Sequence, residues 1–303
     1  MSLNVLQTCG AGKRYRLSWA LRECSLAVPA GHVAALVGPN GAGKTTLLHL
    51  AVGLSAATEG EVRVLDGLRP GSRAALAGIG FVAQDAPLYR GLSVADMLHL
   101  ARNLNQQWDA GRARARVESL GLPASKKVGA LSGGQQAQLA LTIALAKRPQ
   151  LLILDEPLAR LDPLARHEFM GVLMAAVAED GLSVIFSSHV VAELERIADY
   201  LIVLNGGRLQ VSGEVEALLA SHRVLTGPAD LAVAAAARLN LVRASVAGVQ
   251  AHLLCRMAGA QDPVPAGFTA QPVTLEELVL AYLREPAAAA LPGPAAAAVA
   301  ART

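Results

Sequence analysis

The sequence predicts an α/β fold on a mixed sheet, with a helical insertion and a small C-terminal α+β accessory region. Three stretches carry that expectation. An apolar run at residues 33–37 meets a glycine-rich turn and then a helical pattern. A second apolar run at residues 151–154 ends on two adjacent carboxylates, and beyond Ser221 the texture changes to alternating and alanine-rich segments.

Taken in order, residues 3–6 and 24–28 read as short strands flanking Lys13-Arg14-Tyr15. The flat ring of Tyr15 suits stacking on an adenine, although a lone tyrosine reads equally as packing. The turn Pro29-Ala30-Gly31 leads to the strand at 33–37 and then to Gly38-Pro39-Asn40-Gly41-Ala42-Gly43-Lys44-Thr45-Thr46. Strand, glycine turn and helix in that order fit the phosphate-binding pattern G-x-x-x-x-G-K-[ST]. Glycines and the small Ala42 let backbone N–H groups curl around phosphate oxygens, and the helix adds its positive end. Lys44 would reach the β- and γ-phosphates, the Thr45 hydroxyl would ligate magnesium, and Thr46 would bond a more proximal phosphate. These residues imply a nucleoside triphosphate site.

Residues 61–65 form another short strand, and residues 80–83 a further one that ends at Gln84. An amide at a strand mouth can touch magnesium or an attacking water; an isolated glutamine also reads as surface. From Ser93 to about Gly121 the pattern is helical and arginine-rich, with Arg102, Arg112, Arg114 and Arg116 expected on a solvated or partner-facing surface. Leu131-Ser132-Gly133-Gly134-Gln135 has capping-box spacing, so a helix is expected from Gly133 to Lys147-Arg148-Pro149. Its bare N–H groups make a second anion site or an ordinary cap.

The run at 151–154 has the texture of a strand buried on both faces. It delivers Asp155 and Glu156 to the carboxyl end of the sheet, where open α/β folds keep ligands. Asp155 would hold magnesium through water, and Glu156 would take a proton from water attacking the γ-phosphorus. Asp162 opens the next helix, as a cap or as something more. Residues 182–188 form a strand with His189 at its exit, followed by an amphipathic helix around 190–198; the other six histidines read as packing or surface. Residues 200–204, the turn Asn205-Gly206 and residues 208–211 signal a hairpin. A short helix over 214–220 closes the main domain.

This main domain is expected over residues 1–220, with a helical subdomain at about 85–150. The accessory region covers 221–285, with strand-like segments at 222–225 and 241–257, a helical stretch around 229–239, and a capping box at Thr274 for a last helix to Arg284. Residues 286–303 form an alanine- and proline-rich tail that cannot bury a core.

Composition narrows the function classes. Hydrophobic content is 53%, much of it alanine, and charges interrupt every run before the ~18 to 20 residues a membrane span needs. No secretory h-region opens the sequence, so a chain with neither signal peptide nor transmembrane segment is expected in the cytosol. Cys9, Cys24 and Cys255 are scattered and odd in number, which suggests reduced packing thiols. A net charge of +3 without a long basic run gives no reason to expect nucleic acid.

Phosphate loop, Gln84, Leu-Ser-Gly-Gly-Gln, Asp155-Glu156, Asp162 and His189 together resemble the ATP-binding cassette (ABC) ATPases, a P-loop NTPase family, over residues 3 to about 220. The resemblance implies an ATPase using ATP and Mg2+, at work in a head-to-tail dimer with a second ABC subunit, identical or not. Each ATP would lie between residues 38–46 of one chain and Ser132, Gly133, Gly134 and Gln135 of the other. It implies that Tyr15 stacks on adenine, Asp162 contacts the dimer partner, His189 faces the γ-phosphate, and Gln84 with residues 85–104 forms a lever against a membrane subunit. Separate permease subunits would hold the chain peripherally at the cytoplasmic face of the membrane. The extension after the cassette resembles that of bacterial ABC-2 exporters. A soluble assembly or regulatory ATPase is the alternative. Two departures stand out: Gln136-Ala137-Gln138 where an arginine-bearing continuation is usual, and Arg160 where small residues are common.

Overall fold

In the computed structural model, residues 3–159, 161–191, 194–257, 263–285 and 288 are described. The N-terminal strands β1 (Asn4–Tyr15) and β2 (Ser18–Pro29) pair antiparallel, and β4 (Glu59–Val64) pairs with the other edge of β1. Both reach twelve residues, far longer than the short strands the sequence suggested. Register shifts around Gly10 and Gly12 break the alternation that would have revealed their length.

The central sheet has the order β5-β6-β7-β3-β8-β9. Its strands are β3 (Val33–Val37), β5 (Ile79–Val82), β6 (Leu151–Leu154), β7 (Ser183–Ser188), β8 (Tyr200–Asn205) and β9 (Arg208–Glu214). All pairings are parallel except β8 with β9, so the sheet is mixed. Every residue of β3, β6 and β7 is buried, which is why β3 and β6 read as continuous apolar runs. One face carries α1 (Lys44–Val52) and the β1–β2 sheet through Leu36, Leu47, Leu48 and Leu21; the other carries α5 (Gly133–Ala146) and α6 (Pro163–Asp180) through Leu141, Phe169 and Leu173. Each of these buried side chains contributes roughly 1.5–3 kcal/mol. Together they fix the ends of β3, β6 and β7 side by side.

Between β4 and α5 lie α2 (Arg73–Gly78), α3 (Val94–Leu104) and α4 (Ala110–Ser119). The helical insertion is thus two capped helices, with Ser93 and Asp96 closing a capping box on α3 and Asp109 capping α4. It has its own small core of Val94, Met97, Val117, Val128 and Leu139. The expectation of a solvated arginine face holds for Arg102 and Arg114, which are exposed, but not for the other two. Arg112 pairs with Asp180, and half-buried Arg116 donates to Gln138 Oε1 at 2.9 Å.

The amphipathic helix expected around 190–198 is not formed among the described residues, which exclude 192 and 193. Across these two residues Leu194 N–H donates to Val191 O, and beyond them Ala198 N–H donates to Leu194 O, both at 2.9 Å. Ser188 Oγ accepts from Val190 N–H at 3.0 Å, diverting the segment's start, and so short a helix has little to offset nucleation.

After α7 (Val215–Ala220), an antiparallel sheet of order β11-β12-β10-β13 forms from β10 (His222–Pro228), β11 (Asn240–Ala247), β12 (Gln250–Arg256) and β13 (Thr269–Pro272). The stretch at 241–257 is a hairpin turned at Gly248, and β13, wholly exposed, has no alternation to announce it. Leu225, Leu253 and Cys255 pack with Ala232 and Ala235 of α8 (Ala232–Ala236) on one face. On the other, Val242 and Leu254 join the central core together with Leu278, Val279 and Tyr282 of α9 (Leu275–Arg284). Cys24 and Cys255 are buried as expected, whereas Cys9 is exposed. Apart from Ala288, the tail at 286–303 lies outside the described residues, as does Arg160.

Candidate nucleotide site

β3 runs straight into the glycine turn. A Cβ on Gly38 would sit 2.3 Å from Leu204 O, and one on Gly43 (φ 101) would sit 2.5 Å from Ala20 O. At these two positions no side chain fits. Ala42 N–H donates back to Pro39 O at 3.1 Å, and α1 begins at Lys44 with no side-chain cap, leaving its first N–H groups to the loop's concave side. Pro39, Asn40, Gly41 and Thr45 are exposed, and Thr46 is half-buried.

Lys44 is only 5% exposed, and Nζ donates to Gly38 O at 2.7 Å and Pro39 O at 3.3 Å. Nζ also stands 3.2 Å from Glu156 Oε1, while Glu156 Oε2 is 3.4 Å from Nδ1 of half-exposed His189. Cation, carboxylate and imidazole thus form one chain across the ends of β3, β6 and β7. Glu156 holds a left-handed backbone (φ 44), rare for a residue with a side chain and costing ~1–3 kcal/mol.

Ser187, which sequence reasoning passed over, organises the acidic pair. Its Oγ donates to Oδ1 of buried Asp155 at 2.7 Å and accepts from Glu156 N–H at 2.7 Å. The signal was present: a serine pair ending a buried strand directly before His189. A cavity of about 50 Å3 between Glu156, Ser187, Ser188 and His189 is large enough for a water molecule.

The second stretch has the expected capping box: Ser132 Oγ accepts from Gln135 N–H at 3.2 Å, and Gln135 Oε1 accepts from Ser132 N–H at 3.1 Å. Ser132 and Gly133 are exposed. Among the described residues, no hydrogen bond or ion pair joins residues 132–135 to 38–46. Asp162 Oδ1 accepts from Ala165 N–H at 2.9 Å and caps α6. Gln84 is exposed, two residues past β5. Tyr15, 48% exposed at the end of β1, has the Lys13 ammonium 5.1 Å from its ring centre.

With this geometry in place, comparison with known proteins is informative. The family profile described as ABC transporter matches residues 21–159. A probable ABC transporter ATP-binding protein of Azorhizobium caulinodans is 33% identical over 72% of this chain and 80% of its own length. The chain belongs to the ATP-binding proteins of ABC transporters. As an ABC subunit it binds and hydrolyses ATP to energise transport. A second profile, described as an AAA domain, putative AbiEii toxin, Type IV TA system, overlaps at residues 127–195. Its ABC relatives span both directions of transport. The Nod factor export ATP-binding protein I of Rhizobium johnstonii is 34% identical over 71% of each chain, and an aliphatic sulfonates import ATP-binding protein of Shigella flexneri is 37% identical over 67% of this chain and 78% of its own. Among solved ABC structures, the ATP-binding subunit of an ABC transporter superposes with TM-score 0.63 at 26% identity, over 71% of this chain and 91% of that one. A dimeric cassette in a post-hydrolysis state with ADP and Pi superposes with TM-score 0.61 at 26% identity, over 69% of this chain and 98% of that one.

Proposed function

We propose that the chain powers export by clasping ATP between two ABC subunits, each supplying half of the pocket, beneath separate membrane-spanning subunits. The observation that carries this is the division of the site. Residues 38–46, Glu156 and His189 converge at the carboxyl ends of the central strands, whereas the start of α5 at Ser132, Gly133, Gly134 and Gln135 is bonded to nothing in that cluster. The capping box already occupies the N–H groups of Ser132 and Gln135, and a γ-phosphate presented by a second subunit, identical or not, satisfies those of Gly133 and Gly134.

In this reading Lys44 leaves Glu156 for the β- and γ-phosphates, freeing the carboxylate to take a proton from the attacking water. His189 steadies the γ-phosphate, Tyr15 stacks on adenine, and Asp162 meets the partner across the interface. Thr45, Asp155 and Gln84 supply hard oxygen donors suited to Mg2+, which would neutralise phosphate charge. Among the described residues no group of three His, Cys, Asp or Glu could hold a metal.

No helix among the described residues is long and apolar enough to cross a membrane. A groove of about 470 Å3 lined by Leu54, Leu76, Phe81, Ala86, Leu88 and Ile143 offers a seat for a helix of a permease at the cytoplasmic face, beside Gln84 and residues 85–104. The relatives include both directions of transport, and the resemblance of the extension beyond residue 220 to that of bacterial ABC-2 exporters is what favours export.

The test is Glu156→Gln. This variant should bind ATP and accumulate as a dimer in light scattering, with turnover reduced by at least about 100-fold. Near-normal hydrolysis, or a monomer at saturating ATP, would overturn the reading. Copurification with an integral membrane protein whose addition stimulates the ATPase tests the transport arm.

A further inference from the structure

Asn205 ends β8 at the two-residue turn Gly206-Gly207, whose φ angles of 55 and 76 fit a type I′ hairpin. This turn walls the phosphate loop. Gly207 N–H donates to Ala42 O at 3.2 Å, and Gly207 O accepts from Arg22 N–H at 2.7 Å. On the other side, Asn205 Nδ2 donates to Leu283 O at 2.7 Å. Leu283 lies in the last turn of α9, where carbonyls lack partners within the helix, so Asn205 closes the end of the accessory helix. That helix is firmly seated: Leu278, Val279 and Tyr282 are buried, and Tyr282 OH meets His222 Nε2 at 2.9 Å.

We propose that Asn205 is a positioning residue for the phosphate loop, through which the seating of α9 sets how tightly residues 38–46 hold a nucleotide. When α9 is seated, its end pins the turn, and the turn pins Ala42. When α9 lifts, Asn205 loses its acceptor and Gly206-Gly207, with no side chains to wedge it, drifts from the loop. The accessory region thereby gains a lever on nucleotide affinity without contributing a group to the chemistry. The proposal rests on residues 38–46 being the triphosphate site.

The experiment uses full-length Asn205→Ala and Asn205→Asp. Loss of one hydrogen bond should raise KM for ATP by about three- to tenfold in the alanine variant with kcat held within about twofold. The aspartate variant should be worse, since its carboxylate faces a carbonyl. Hydrogen exchange of nucleotide-free protein should quicken at residues 38–46. Tyr282→Phe, which removes the bond to His222, should move KM in the same direction by less. Phe268→Leu, in the accessory sheet's other core, controls for destabilisation: it should lower Tm and leave KM unmoved. The proposal falls if both Asn205 variants keep the wild-type KM and exchange pattern, or if Phe268→Leu raises KM equally. ATP binding by Lys44→Ala as tight as wild type would instead sink the reading of the site itself.

Discussion

The central sheet and the accessory sheet bury their polar groups in opposite ways. In the central sheet β3, β6 and β7 bury only apolar side chains and short hydroxyls, and charge appears at their carboxyl ends, where Lys44, Glu156 and His189 stand in a single chain of contacts. The accessory region instead buries a neutral pair, His222 of β10 and Tyr282 of α9. Opposite charges brought together on turns can be regrouped when a polyanion arrives. A neutral pair satisfied inside the core has nothing to exchange and serves to lock elements together. Chemistry and packing thus separate along the chain, and the difference can be tested at both ends.

The largest effect is expected from Lys44→Ala. Removing a buried cation that would otherwise bond phosphate should weaken ATP binding by about 100-fold, measured by calorimetry. It also strips Glu156 of its cation, so the nucleotide-free protein should melt earlier than wild type. Unchanged ATP affinity would break the contrast outright. An intermediate effect is expected from Ser187→Ala, which leaves Asp155 Oδ1 and Glu156 N–H without their shared hydroxyl. Turnover should fall by about tenfold as Glu156 loses its fixed orientation, with nucleotide affinity nearly retained. Equal losses of affinity and turnover would mean that Ser187 shapes the whole loop rather than the acidic pair.

How far the sequence disclosed each region follows from the same contrast. The phosphate loop, the capping box at Ser132 and the strand leading to Asp155 are local patterns, and each folds as its own residues dictate. Ser187 is different: its role depends on β7 lying beside β6, a pairing that no local pattern announces. Arg116 is a similar case, since only the packing of α4 on α5 brings it to Gln138. The accessory region was legible as texture but not as topology. Gly248 turns one apparent strand into two, and β13 carries no buried face by which to be recognised.

The smallest effect concerns the locked pair itself. His222 Nδ1 meets Leu218 O at 2.7 Å and Nε2 meets Tyr282 OH at 2.9 Å, one donor and one acceptor, the needs of a neutral imidazole. Burial is the main reason its pKa falls from 6.5 to about 4; the nearby Arg256 adds to the drop, and the bond to Leu218 O opposes it. Burial likewise pushes the Tyr282 phenol up to about 12. Between those two histidine values the unfolded chain binds a proton that the folded chain refuses, so stability rises with pH through this window. The contribution is complete above 6.5 and lost by about 4. Tm should therefore fall more steeply from about pH 7 to about pH 4.5 in wild type than in His222→Gln, which keeps a polar partner but cannot titrate. Identical slopes would mean that His222 is protonated in the folded chain, and that the accessory region buries charge after all.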